Sequence, residues 1–287
     1  NEAMLDELIT YEMFEAAGLP APQVAYTGVQ VNDESGKLYL VSQVLDETYL
    51  EQHFDNPDGV LFKAELGSSL SYVNDDPSSY VKSFSQETRV NEADYASLIE
   101  FSQFISQTDD ATFAAELAQR FDVEAFASYL ALNNLLVNLD SIAAMNNNYY
   151  LYYEDLSGKM TLLMWDGNES LGGLGGRQVT DYDLYYEGQT GMRMPGGSTQ
   201  NVLFKRFMAG PGFRALYGEN LKEMYEVVLT RGAARQTLED YTHLIRSTQA
   251  DSGLVDLEAY NQAAAEVESF LSERQAYLES TELLAGR

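Results

Sequence analysis

Residues 122–176 constrain this chain more than any other stretch. An apolar helix capped by Asp122 runs to Asn138-Leu139-Asp140, and a polar loop from Ser141 to Asn147 follows. Asn148-Tyr149-Tyr150-Leu151-Tyr152-Tyr153 then reads as a strand, Glu154 to Lys159 as a turn, and Met160-Thr161-Leu162-Leu163-Met164-Trp165 as the returning strand. One hairpin thus gathers a loop aspartate, a later asparagine and a strand-end Asp166-Gly167. The plainer alternative is a helix end, a polar loop and an amphipathic hairpin whose carboxylates are simply exposed.

The order has a chemical meaning. Phosphoryl transfer needs a carboxylate to orient the attacking hydroxyl, and oxygen ligands to hold Mg²⁺ on the triphosphate. Protein kinases assign these roles to a loop Asp, an Asn a few residues on, and an Asp-x-Gly after a hairpin. Asp140, Asn148 and Asp166 follow that order. Asn148 lies eight residues after Asp140, where a kinase places it about five later, so Asn146 and Asn147 are alternatives for its place.

Composition narrows the chemistry. With 17 basic against 45 acidic residues the net charge is −28, which repels nucleic acid and anionic lipid. The excess suits basic protein substrates or, more plainly, a solvated acidic surface. Cysteine is absent, and His53 and His243 stand far apart. Thiolate catalysis, Cys-type zinc sites and a Ser-His-Asp triad are therefore poorly supported. What remains is carboxylate and amide chemistry with Mg²⁺, Mn²⁺ or Ca²⁺. No apolar run is long enough to span a membrane. No charged-then-apolar leader opens the sequence, so any signal peptide is expected to be gone already.

Along the chain, helical spacing at 2–17 stops at Gly18-Leu19-Pro20. Strands are expected at 24–31 and 38–44, a helix at 46–54 and a strand at Val60-Leu61-Phe62-Lys63. Residues 67–90 read as an irregular excursion, and helices resume at 92–106 and 110–119. The Gly-rich stretch 166–200 suits a flexible activation or substrate loop. Helices follow at 200–209, 211–230, 232–248 and 256–283. No internal repeat is present, and Met192-Arg193-Met194-Pro195 matches no known chemistry.

Smaller signals each carry two readings. Leu171 to Gly176 is glycine-rich, but without the Lys-Ser/Thr of a phosphate-binding loop it reads better as a mobile loop. Asn168-Glu169-Ser170 matches a glycosylation acceptor, and Asn168 equally suits a metal ligand beside Asp166. Lys63 is placed either to reach a phosphate or with its head in solvent. Gln43 ends a strand facing the cleft or is a surface amide. Tyr149, Tyr150, Tyr152 and Tyr153 read as hairpin packing. Tyr182, Tyr185 and Tyr186 fit a core less easily and are candidates for peptide contact.

Together these residues resemble the CotH family, the spore-coat-H-like atypical protein kinases. The likeness is carried by Asn138-Leu139-Asp140-Ser141, Asn148-Tyr149-Tyr150-Leu151-Tyr152, Ser157-Gly158-Lys159 and Trp165-Asp166. Gly18-Leu19-Pro20-Ala21-Pro22 resembles the family's "G-[LV]-P-A-P", Gly36 to Gln43 its "G-x-Y-L-x-x-[EQ]", and Leu61-Phe62-Lys63 its "L-Y-K". Leu203 to Phe207 with Gly212-Phe213-Arg214, and Glu266 to Leu278 with Arg274, resemble its later helices. The resemblance implies a secreted or cell-surface bacterial kinase that binds ATP and Mg²⁺ and phosphorylates Ser or Thr on coat or extracellular proteins. By motif position Asp140 is the catalytic aspartate, Asp166 the metal aspartate, Asn148 a residue near the metal, and Gln43 the Glu/Gln of the small lobe.

Three departures accompany the likeness. The family has strands before residue 1, with an Arg-Gly-Asn/Ser loop and a nucleotide lysine. Its Trp-Asp-x-Asp reads here with Asn168 as the second residue. The loop Ser141 to Met145 is more apolar than expected. The expectation is an α+β, atypical protein-kinase-like fold. A small, partial β-rich lobe at 1–66 joins a larger helical lobe at 67–287 carrying the active-site hairpin 138–166. The alternative function is a catalytically inactive CotH-like module for surface adhesion or assembly. A metal-dependent hydrolase is a third, weaker reading.

Overall fold

The computed structural model describes residues 3–175, 177, 180–186, 201–249 and 252–285. The first helix, α1 (Leu5–Ala16), buries Leu5, Leu8, Ile9, Met13 and Phe14 and ends before Gly18, whose φ of 75° glycine adopts without penalty. Strands β1 (Val24–Val29) and β2 (Lys37–Ser42) form an antiparallel hairpin with Ala25 opposite Val41. Helix α2 (Glu47–His53) follows, its N-terminus capped by Asp46, which accepts the Tyr49 N–H at 3.1 Å.

Strand β3 (Val60–Ala64) joins the central hairpin rather than the β1–β2 pair. It lies between β4 (Phe84–Gln86) and β5 (Tyr149–Glu154), and β6 (Lys159–Met164) completes an antiparallel sheet ordered β4-β3-β5-β6. Alternation divides its residues between two clusters. Phe62, Tyr149, Leu151, Leu162 and Met164 enter the main core, whereas Leu61, Tyr150, Tyr152 and Leu163 pack with Leu45, Tyr49 and Leu50 around α2. The strand β4 was not expected: three residues between polar neighbours carry too little alternation to be seen.

The helical body comprises α3 (Ala96–Gln107), α4 (Asp110–Arg120), α5 (Val123–Leu135), α6 (Val202–Ala209), α7 (Pro211–Tyr225), α8 (Ala233–Gln249) and α9 (Leu257–Glu279). A π-helical turn, Glu226–Thr230, extends α7. Helix α5 is buried on every side from Phe126 to Leu135, as befits the central helix of a core. It packs chiefly on α7, while α1 packs on α8, α9 and α5. The fold is α+β, as expected. The β1–β2 hairpin rests on the α8–α9 connection, where Leu38 donates its N–H to the Leu254 carbonyl at 2.9 Å.

Two expectations change. Helix α5 ends at Leu135, not at Asp140, because Val137 turns left-handed (φ 49°) and the Asn138 N–H returns to the Asn133 carbonyl. Tyr182 and Tyr186 are core residues rather than exposed ones, and Tyr185 packs partly buried against them. The Tyr186 hydroxyl donates to the Leu130 carbonyl at 2.7 Å, and its ring meets Phe204 edge-on. Much of the expected activation or substrate loop, with Gly176 and Met192-Arg193-Met194-Pro195, lies outside the described residues.

Candidate active site

The loop after α5 is organised by Asn138. Its side chain donates to Asn133 Oδ1 at 2.8 Å and accepts the Asp140 N–H at 3.0 Å, while its carbonyl accepts the Ser141 hydroxyl. The Ser141 carbonyl in turn accepts the N–H groups of Ala144, Met145 and Asn146. From behind, Arg274 of α9 grips the end of α5. Its guanidinium donates to the carbonyls of Asn134, Leu135, Thr180 and Tyr182 and to Asn134 Oδ1, at 2.8–3.3 Å. The cation is fully buried and has no carboxylate partner among the described residues. Burial brings its pKa down to about 10, and the negative end of the α5 dipole faces it.

Asp140 emerges half-buried from this scaffold. Its carboxylate accepts Asn148 Nδ2 at 2.8 Å and Asn147 Nδ2 at 3.2 Å. Burial raises its pKa above the usual aspartate value and the negative charge of Asp166 adds to the rise, while the two amides oppose it. The three asparagines are thereby sorted. Asn146 is buried and fastened elsewhere, donating to the Ser68 carbonyl and accepting Asn201 Nδ2 at 2.7 Å. Asn147 and Asn148 face Asp140. Among the described residues the Asn148 amide oxygen makes no hydrogen bond to protein.

Asp166 stands at the end of β6 with a φ of 52°. Its N–H, past the last pair of the ladder, donates to the Tyr11 hydroxyl of α1 at 2.9 Å. Gly167 follows in close contact with α1, since a Cβ there would stand 2.8 Å from that of Thr10. Asn168 is exposed, and its N–H lies 3.4 Å from Asp166 Oδ1. Two further carboxylates lie within electrostatic reach. Glu7 of α1 is raised in pKa by burial and by Asp166; Glu169 is raised by burial and by Asp140, Asp6 and Asp166. Among the described residues neither Asp140 nor Asp166 has a cationic partner.

Gln43 and Lys63 are placed differently: only Lys63 is seen beside the Asp166 turn, through Trp165. Gln43 Oε1 accepts the Gln23 N–H at 3.2 Å and its Nε2 donates to Gln52 at 2.7 Å, fastening the end of β2 to α2. The neighbouring Ser42 hydroxyl is 3.4 Å from Glu7. Lys63 is half-buried, with Nζ 5.7 Å from the ring centre of Trp165, the residue before Asp166. Beyond Asn168, a cavity of 490 Å³ is lined by Asp6, Asn168, Glu169 and Arg177 with residues of α9. Arg177 closes a buried two-point ion pair with Asp6 at 2.6 and 3.0 Å.

The arrangement suits a divalent cation on a phosphate. No three His, Asp or Glu side chains among the described residues converge to hold a metal by themselves. Mg²⁺ on a nucleotide needs fewer protein ligands, one or two carboxylates besides the phosphates. Unpaired Asp166 and the free amide oxygen of Asn148 fit that requirement. Sequence reasoning missed Tyr11 and Glu7. The signal, a tyrosine and a glutamate one turn apart on an amphipathic helix, is indistinguishable from packing without the fold.

The chain is similar to the inner spore coat protein H of Bacillus subtilis, with 21% identity over 236 residues, 80% of this chain and 61% of that protein. This match spans less than two thirds of that relative's length. The family model described as "CotH kinase protein" matches residues 1–278. The loop, hairpin and Asp166 turn thus lie within a stretch that matches almost end to end, and the chain belongs to the CotH family.

Proposed function

We propose that this protein transfers the γ-phosphoryl group of ATP to a Ser or Thr hydroxyl of a protein at a bacterial coat or cell surface. One observation carries the reading: Asp140, tethered by Asn148, lies within electrostatic reach of an Asp166 that has no cationic partner among the described residues. Asp140 orients the acceptor hydroxyl and takes its proton, and its raised pKa makes it a better base than an exposed aspartate. Asp166 and Asn148 hold Mg²⁺, which supplies neutralisation of phosphate charge when bound. Asn168 follows Asp166 by two residues, and Lys63, beside Trp165, and Gln43, at the end of β2, are the residues proposed to meet the nucleotide. The surface location is supported by the similarity to a spore coat protein.

Asn168, where the family has a second acid, favours a second reading, an inactive module for adhesion or assembly. ATP binding with and without Mg²⁺, beside an Asp166→Ala variant, separates the two. Metal-dependent binding lost in the variant supports the kinase. Wild-type protein that binds no nucleotide in either condition sinks it.

A further inference from the structure

We propose that Tyr11 is a positioning residue for Asp166: its hydroxyl accepts the Asp166 N–H and seats the Asp166-Gly167 turn on α1. The inference rests on the metal-holding role proposed for Asp166. Its first support is geometric. The β5–β6 ladder ends with Tyr149 opposite Met164, so the Asp166 N–H has no strand to pair with. This partly buried amide, left without a ladder partner, finds a phenol 2.9 Å away on a helix 155 residues distant in sequence.

The second support is the conformation that this bond accompanies. Asp166 is left-handed, a state that an aspartate enters only at a cost, so something outside the residue must favour it. The contact between Thr10 and Gly167 is the other half of the seat, because no Cβ fits between helix and turn. Thr10 and Tyr11 are adjacent on α1, so consecutive side chains hold consecutive residues of the turn.

The third support is the fixed orientation of the phenol itself. Tyr11 is 1% exposed, so the core holds its ring in place, and Glu7 stands one turn back on α1, close enough for its charge to act on the phenol. Held there, the hydroxyl oxygen presents a lone pair to the Asp166 N–H. Glu7, Tyr11 and Asp166 form a relay of position. Movement of α1 moves the carboxylate proposed to hold Mg²⁺, and cation binding at Asp166 tightens α1 in return.

Tyr11→Phe keeps the ring in the core and removes only the acceptor. Amide hydrogen exchange at Asp166 is expected to quicken at least tenfold, while the β5–β6 ladder stays protected. In parallel, the apparent affinity for Mg²⁺ in the presence of ATP is expected to fall at least tenfold. Unchanged exchange at Asp166 overturns the inference. So does faster exchange with unchanged Mg²⁺ affinity, which would leave Tyr11 a packing residue. A wild-type protein without Mg²⁺-dependent nucleotide binding overturns the phosphotransfer reading and this inference together. That outcome is distinct from the first two, in which the wild type binds.

Discussion

Asn148, held left-handed with a φ of 56°, donates its side-chain amide to the Asp140 carboxylate at 2.8 Å. One side chain thereby fixes the orientation of the proposed base and leaves its own oxygen for a cation. Asp140→Asn should lower phosphoryl transfer by about 10²–10⁴-fold, the usual worth of a positioned base. Mg²⁺-ATP binding should persist. Single-turnover kinetics beside equilibrium binding check this, and transfer at the wild-type rate would remove Asp140 from the mechanism.

The same hydrogen bond sets a pH dependence. The Asn147 and Asn148 amides stabilise the charged carboxylate and pull its pKa down against burial. Asn148→Ala removes one of them, so the Asp140 pKa should rise further. A base works only when deprotonated, and the acidic limb of the pH–rate profile should therefore move to higher pH. An acidic limb that stays in place, or moves lower, contradicts the assignment.

Stability should show a linked trend. Glu7, Asp140 and Glu169 all have raised pKa values, chiefly through burial, and so bind protons more tightly folded than unfolded. The stability each contributes is fully present below its unfolded pKa and is lost as pH rises through the folded value. Carboxylates shifted the other way, Asp76 and Asp109, act only as pH falls through their depressed values. His53, whose pKa burial lowers, pulls the other way in this window, so in a His53→Gln background thermal unfolding near pH 5 should occur at higher temperature than at pH 8, and Glu7→Gln should flatten the difference. A melting temperature that climbs from pH 5 to pH 8 would refute this.

Gly59 offers a test of the sheet. A Cβ there would collide with the Tyr153 carbonyl oxygen and the Tyr152 ring, where β3 enters beside β5. The backbone cannot yield cheaply at such a point, so Gly59→Ala should cost on the order of 2–3 kcal/mol, typical of overpacking. Urea unfolding measures it directly.

How much of this was legible depends on distance along the chain. The hairpin from Tyr149 to Met164 was readable because alternation and turn chemistry are local, and with it the meeting of Asp140, Asn148 and Asp166. Tyr11 was readable only as one apolar position of α1; its bond to Asp166 is set by tertiary docking, which no local pattern encodes. Tyr182 and Tyr186 were misjudged because glycine-rich surroundings suggested a loop in solvent. Their rings instead join the core beside α5 and α7, with Tyr186 hydrogen-bonded to Leu130 and packed on Tyr182 and Tyr217. Arg274 was visible as a family match, yet its five donors to the α5 end and the 180–182 segment are a property of the assembled fold.

The grip of Arg274 on α5 also sets a timetable. Asn134 and Arg274 are separated by 140 residues, so the loop bearing Asp140 is made long before the cation that steadies its base. Until α9 has emerged from the ribosome, the Leu135 carbonyl lacks the guanidinium that satisfies it, and Asn134 keeps only its local bond from the Val137 N–H. Under the phosphotransfer role proposed above, an unfinished chain would stay silent toward ATP and toward neighbouring nascent proteins. Stalled chains released with and without α9 should differ accordingly, the shorter ones lacking protection at residues 134–140.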